Sequence, residues 1–269
     1  MELSQSTCLI TGASGGIGQA IARSLYAQGA SLILVGRKQE ALEALNTELG
    51  GAHQCLVADI MDPCGRERIA AAVVDNAAVK LVVQAAGSSS FGEFSAQTGA
   101  DIESTIALNL TAPMLIARGI LPALLQRPQA TLVNVGSAFG NIGFPCFSTY
   151  CASKFGLRGF TEALQREYAG SAINIVYFAP RATQTSFNSS AVDEMNRVLG
   201  NQTDTPERVA EELVRLLKRG RRRGVVGWPE KLFCRLNGLL PELVDRALAS
   251  KRNTIVEFAK QHHLEGKHL

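Results

Sequence analysis

The chain has 269 residues, 46% of them hydrophobic and 19% charged, which supplies a sizeable core and excludes a disordered chain. Its formal charge of +3 is too small to imply nucleic acid, and no nucleic-acid partner is expected. Six scattered cysteines and four histidines make no C-x-x-C and no metal-ligand spacing, so no metal is expected and the cysteines read as small apolar residues of a reducing compartment.

The amino-terminal stretch MELSQSTCLITG lacks the basic and apolar regions of an export signal. No apolar run reaches the about 18–20 residues that a membrane span needs. A cytoplasmic location is expected. In chain order, residues 7–11 (TCLIT) form a short apolar strand that meets the loop GASGGIG. A helix follows over 16–28, a strand over 31–35 and a helix over 38–49. Strand three covers 54–58, and Pro63 suits the first turn of a helix running to about residue 77. LVVQ (81–84) is strand four, and a long helix spans about 101–125. TLVNVGS (131–137) is strand five, 150–169 a helix and 173–178 strand six. Short, continuously apolar strands alternating with amphipathic helices predict an α/β fold, a doubly wound parallel sheet of about seven strands covered on both faces. Its ligand crevice lies at the carboxyl ends of the strands.

After Pro180 the pattern weakens. Residues 181–201, rich in Ser, Thr and Asn, predict a mobile flap, 205–219 a helix and 224–227 a last edge strand. An amphipathic tail follows Trp228. With no clean linker, residues 1–227 are read as one Rossmann-like domain. Residues 228–269 are a helical extension, part of that domain or of an oligomer interface.

The loop Gly12-Ala13-Ser14-Gly15-Gly16-Ile17-Gly18 lies between a strand and a helix. Glycines there let a pyrophosphate approach main-chain N–H groups at the helix amino end. Strand two ends in Gly36-Arg37-Lys38, where an NAD site usually has an acid. A guanidinium is matched to the 2′-phosphate of NADP, and Ser14 can add a hydroxyl. NADP (NADPH) is therefore the expected cofactor. Further on, STYCASKFG places Tyr150 and Lys154 on one helix face, about 5–6 Å apart at Cβ. By itself this spacing arises often by chance and favours an ordinary surface Tyr and a solvated Lys over an acid/base pair.

Taken together, these motifs closely resemble the short-chain dehydrogenase/reductase family, in its single-domain, NADP-dependent branch. The similarity runs from Thr7 to about Leu217. It rests on TG-x-x-x-G-x-G at 11–18, Asp59 after strand three, Ala86-Gly87 after strand four, Asn109 in the long helix, Ser137 ending strand five, Tyr150-x-x-x-Lys154, and Pro180 followed by Thr185. The resemblance implies an oxidoreductase acting on a carbonyl or secondary alcohol. Tyr150 is then the general acid/base, Lys154 favours its phenolate and bonds the nicotinamide ribose, Ser137 holds the substrate oxygen, and Asn109 supports a water relay. Lowering a phenol by ~3 pKa units takes ~4 kcal/mol of differential stabilisation. The cofactor contacts implied are Gly12, Ser14, Gly16, Ile17, Gly18, Arg37, Asp59 and Ile60 (adenine), Ala86, Gly87, Tyr150, Lys154, Pro180, Thr183 and Thr185. A catalytically idle NADP-binding scaffold or redox-sensing module is the alternative.

Two departures from the family stand out. Gln84-Ala85-Ala86-Gly87 replaces Asn-Asn-Ala-Gly, removing an asparagine that ties neighbouring strands. Arg181 replaces the glycine after Pro180 and is expected to point to solvent. Phe91, Phe94, Phe139, Phe144, Phe147 and Phe187 are the candidate lining of an apolar pocket for a lipid-like, steroid-like or acyl substrate. Homo-oligomerisation, dimer or tetramer, is expected through 101–125 and 150–169. The basic stretch Lys218–Arg223 before the amphipathic tail allows a peripheral membrane or acyl-carrier contact, with packing on its own domain or a second subunit the more ordinary outcome.

Overall fold

The computed structural model describes residues 2–4 and 6–265, the last three by backbone only; the end of the 228–269 extension lies outside the described residues. Seven strands pair in parallel in the order β3-β2-β1-β4-β5-β6-β7: β1 (Thr7–Thr11), β2 (Ser31–Gly36), β3 (Gln54–Val57), β4 (Val79–Gln84), β5 (Thr131–Val135), β6 (Asn174–Ala179) and β7 (Arg223–Val225). This is the doubly wound sheet that the apolar runs predict. Successive side chains of a strand face opposite sides, so each strand feeds two apolar layers. Ile10, Leu34, Val83 and Val133 pack toward α1 (Gly16–Tyr26), α2 (Gln39–Glu48) and α8 (Pro206–Lys218). Leu9, Ile33, Val82 and Leu132 pack toward α3 (Pro63–Val74), α5 (Ala112–Leu125) and α6 (Ser148–Glu167).

Local chemistry sets the helix starts. The Asp62 side chain accepts from the N–H groups of Cys64 and Gly65, and Pro63 takes the first turn of α3. A capping box between Thr98 and Asp101 opens α4 (Gly99–Ile106) two residues before the predicted start. The predicted helix over 101–125 is not continuous α-helix: α4 passes through a π-helical turn, Ala107–Thr111, into α5. Contrary to the sequence expectation, the combined span Gly99–Leu125 is long and apolar enough to cross a membrane. Ile116, Ala117, Ile120 and Leu124 are nevertheless buried, in the layer that also holds Ile69 and Val73 of α3.

The predicted flap contains a helix, α7 (Ser190–Val198), which buries Ala191, Val192, Met195 and Asn196. After β7 come α9 (Glu230–Leu239), α10 (Pro241–Ala249) and α11 (Arg252–Glu265). They differ in packing. No residue of α9 and only Val244 of α10 is buried, whereas Ile255 and Ala259 of α11 are buried in a cluster with Phe147, Tyr150, Val192 and Met195.

The missing asparagine after β4 is compensated. Gln84 is buried, and its Nε2 donates to Asn134 Oδ1 on β5 at 3.0 Å and to the Pro113 carbonyl at 3.1 Å. Asn134 Nδ2 passes the link on to Thr161 Oγ1 of α6 at 2.9 Å. The longer side chain thus makes a strut from β4 through β5 to α6. Asn134→Ala removes the middle of it, leaving Gln84 Nε2 with only the Pro113 carbonyl and Thr161 Oγ1 with only the Leu157 carbonyl. Urea denaturation is expected to show a loss of about 1–3 kcal/mol; an unchanged midpoint would contradict the strut.

Candidate active site

A cleft of about 450 Å³ opens at the carboxyl ends of the strands, where β1 pairs with both β2 and β4. Its floor is the glycine loop. Gly12 has φ +71°, and a Cβ there would stand 2.8 Å from the Ala86 backbone; a Cβ on Gly18 would stand 2.0 Å from the Gly12 carbonyl. Only glycine lets the loop and the end of β4 come this close. Gly15 is the N-cap of α1, with no side-chain cap and no acid in the first turn. The helix therefore points uncapped N–H groups and the positive end of its dipole into the cleft, which suits an anion such as a pyrophosphate.

Along one end of the cleft lie Ser14, Gly16, Ile17, Arg37, Asp59 and Ile60, and along the middle Ala86, Gly87, Pro180, Thr183 and Thr185. Arg37 is exposed at the rim. Asp59 Oδ1 accepts from the Met61 N–H at 2.9 Å, which shapes the turn after β3. Thr183 Oγ1 donates to the Arg181 carbonyl at 2.9 Å, and Thr185 packs close to Gly16. Every predicted cofactor contact thus borders the same cleft.

Ser137, Tyr150 and Lys154 meet at the other end. Ser137 leaves β5 and caps a single 3-10 turn, its Oγ accepting from the Phe139 N–H at 3.1 Å. Tyr150 and Lys154 share a face of α6 and are both buried; the Lys154 Nζ lies 5.8 Å from the Tyr150 ring centroid. Burial acts on the two in opposite senses. It pushes the Tyr150 phenol up to about 12, against the opposing pull of a hydrogen bond from Ser137. It lowers the Lys154 ammonium to about 8. Lys154 is also engaged elsewhere, donating to the Val135 carbonyl at 3.1 Å. In the polypeptide alone, burial shifts Tyr150 toward its protonated form.

Asn109 does not border the cleft. It is fully buried in the π-helical turn, with Oδ1 accepting from the Ser88 N–H and Nδ2 donating to the Ser88 carbonyl and to Ser153 Oγ, at 2.9, 2.9 and 3.1 Å. It clips the segment after β4 to α6. Gly87 sits where the two meet: a Cβ there would lie 2.9 Å from Asn109 Oδ1 and 3.6 Å from Lys154 Nζ.

Three of the six phenylalanines, Phe139, Phe147 and Phe187, line the cleft together with Val192 and Met195. Phe91 and Phe144 stand behind them, with ring centroids 4.8 Å from Phe147 and 4.7 Å from Phe139 respectively. Phe94 is exposed and takes no part. The sequence reading missed Val192, Met195 and the covering helix α11. Only the helical spacing of Val192 and Met195 hinted at them.

Arg181 reverses its expectation. It is 7% exposed and borders the cleft. Its guanidinium bonds both oxygens of the buried Asp204 at 2.8 and 2.9 Å, and also Gln202, the Trp228 carbonyl and Glu230. The bond to Asp204 raises its pKa. Asp204 in turn pairs with the Thr183 backbone. Replacing glycine here thus ties the threonine loop to the segment before α8 and to the start of α9. Arg181→Gly restores the family residue but strips the bidentate partner from a buried carboxylate, leaving it only Arg208 at 3.1 Å, a half-exposed cation. A destabilisation of about 3–5 kcal/mol is expected by urea denaturation; wild-type stability would show that the clasp is dispensable.

Comparison with known proteins agrees with this geometry. The model of the short chain dehydrogenase family matches residues 6–196. The chain is 36% identical over 199 residues to nodulation protein G of Rhizobium meliloti, covering 72% of this chain and 78% of that protein. It is 30% identical to the 3-oxoacyl-[acyl-carrier-protein] reductase of Rickettsia bellii, over 74% and 81%. Among solved structures, a short-chain dehydrogenase from Sphingobium yanoikuyae in complex with NADPH is similar at a TM-score of 0.77 and 26% identity, covering 89% of this chain and 95% of that one. One from Burkholderia phymatum in complex with NAD shares the fold at 0.80 and 21%, over 90% and 96%.

Proposed function

The chain belongs to the short-chain dehydrogenase family of oxidoreductases, and we propose that it uses NADP(H) on a carbonyl or secondary alcohol of an apolar substrate, with Tyr150 as the acid/base. The observation that carries this reading is the buried Tyr150 beside Ser137 and Lys154, in the same cleft as an uncapped helix end and Arg37. When bound, the nicotinamide cofactor supplies or accepts a hydride. The α1 amino end and the loop Gly12–Gly18 would hold its pyrophosphate, Asp59 and Ile60 its adenine, and Lys154, Thr183 and Thr185 its nicotinamide half.

The chain's own residues then do the following. The Ser137 and Tyr150 hydroxyls hold the substrate oxygen, and Tyr150 gives that oxygen its proton in reduction or takes it in oxidation. A phenol held up at about 12 is protonated at neutral pH, as reduction requires. A cation retained on Lys154 by the cofactor's ribose would lower the phenol for return of the proton. Asn109 positions the Ser88 segment and α6 on either side of this group. Phe139, Phe147, Phe187, Val192 and Met195 favour an apolar substrate, and α11 shields that end of the cleft from water. Because similar structures hold either NADPH or NAD, the choice of NADP rests on Arg37 and Ser14. Six free cysteines suit a reducing, cytoplasmic setting. Met114, Leu115 and Phe155, exposed on α5 and α6, support a dimer through that face.

Tyr150→Phe keeps the ring and removes the proton. Turnover is expected to fall at least about 10²–10⁴-fold with NADPH affinity nearly unchanged. Near-normal turnover would remove Tyr150 from the chemistry. A separate titration addresses the cofactor. Arg37→Ala is expected to weaken NADPH binding about 10- to 100-fold, from a charge-assisted bond of about 1.5–3 kcal/mol, and to leave NADH binding unaltered. Equal wild-type affinities for the two would contradict the assignment.

A further inference from the structure

Catalysis makes no use of the hairpin formed by α9 and α10. Most of its large apolar residues face outward. Trp228, Leu232, Phe233, Leu239, Leu240 and Leu243 are six of the fifteen exposed large hydrophobic residues among those described, and Leu239, at the corner between the two helices, is 77% exposed. A scattered exposed leucine needs no explanation, but a run of six within one hairpin does. The hairpin does not spend these residues on its own packing, since Val244 is the only buried residue of its two helices.

Charge accompanies them. Residues 218–246 hold eight lysines and arginines against three acids, in a chain whose whole charge is only +3. Arg219, Arg221, Arg222, Lys231 and Arg235 are exposed, and none makes an ion pair among the described residues. The root of the hairpin is held by Arg181, which bonds the Trp228 carbonyl and Glu230, so the face is presented in a fixed direction.

We propose that this hairpin docks the protein on an anionic lipid surface, with the corner leucines and Trp228 entering the boundary of the bilayer and the surrounding cations meeting lipid phosphates. An amphipathic element with bulky apolar residues and free Lys/Arg is what such a surface binds, and an indole is favoured at that depth. A second copy of the chain is the poorer occupant. A twofold contact sets a patch against itself, and here it would bring the same unpaired cations together. An acidic protein would satisfy the charges, but protruding leucines at a helix corner need a matching pocket in a protein and none in a bilayer.

Trp228 is the only tryptophan of the chain, so its emission reports on this face alone. The full chain is mixed with vesicles of phosphatidylcholine, or of phosphatidylcholine with phosphatidylglycerol. The expected result is a blue shift and co-sedimentation with the anionic vesicles only, reversed by high salt. Leu239→Glu with Leu240→Glu is expected to abolish both. Arg221→Glu with Arg222→Glu is expected to weaken binding at least about 30-fold, since one basic residue near an anionic surface contributes about fivefold. Retained NADPH binding in both variants verifies that they are folded. Three outcomes would overturn the proposal: no shift with anionic vesicles, or an equal shift with phosphatidylcholine alone; a multimer by light scattering that the leucine substitutions dissociate; or a shift produced as well by polyglutamate, which would make the partner an acidic protein.

Discussion

The close approach of two backbones, at Gly12 and Ala86, is the constraint on which the rest depends. β1 pairs with β2 on one side and β4 on the other, and the chains leaving β1 and β4 turn to opposite faces of the sheet. The crevice between them exists because the loop after β1 can lie against the end of β4, and no residue with a Cβ fits there. That contact aims α1 into the crevice and brings Gly87, and with it Asn109 and Lys154, to the opposite wall. A parallel sheet buried on both faces leaves polar groups nowhere to gather but its ends, so one crevice collects them all.

Within the crevice burial does most of the electrical work. It raises a phenol and lowers an ammonium a short distance apart, so each is held nearer its neutral form than it would be in water. The pair is thereby poised to respond to what binds beside it. A ribose or a positive ring adjacent to Lys154 has more effect in this dry site than in solvent. The neighbouring Tyr177, whose hydroxyl bonds the Ser137 carbonyl, is likewise held protonated by burial and acts as a fixed support for the serine.

Arg181 shows how a single departure from a family pattern is absorbed. A buried guanidinium is tolerable only if paired and hydrogen-bonded. Here Asp204, Glu230, Gln202 and the Trp228 carbonyl supply the partners, from two separate segments of the chain. The substitution therefore couples the Thr183–Thr185 loop to the segment before α8 and to the start of α9. The extension then divides by function. α11 is drawn inward by Ile255 and Ala259 to cover the apolar end of the crevice, while α9 and α10 stay outside with their leucines and cations exposed.

The sequence by itself determined the alternation of strand and helix, the parallel sheet and the residues that border the crevice. Short continuous apolar runs bounded by turn signals suit strands buried on both faces, and the glycine loop, Arg37, Ser137, Tyr150 and Lys154 all fall at strand ends or on the helix that follows. It also placed the starts of α3 and α8, where Pro63 and Pro206 occupy the first turn. Tertiary structure alone decided the rest. Whether Gln84 could replace an asparagine depended on its reach to Asn134 across β5. Whether Arg181 met solvent or Asp204 depended on residues 23 positions away in the chain. Which phenylalanines lined the crevice, and which tail helix turned inward, depended on packing partners far apart in sequence. The protonation state of Tyr150 was the least legible of all, because a pKa is set by the water removed around a group, and only the folded chain removes it.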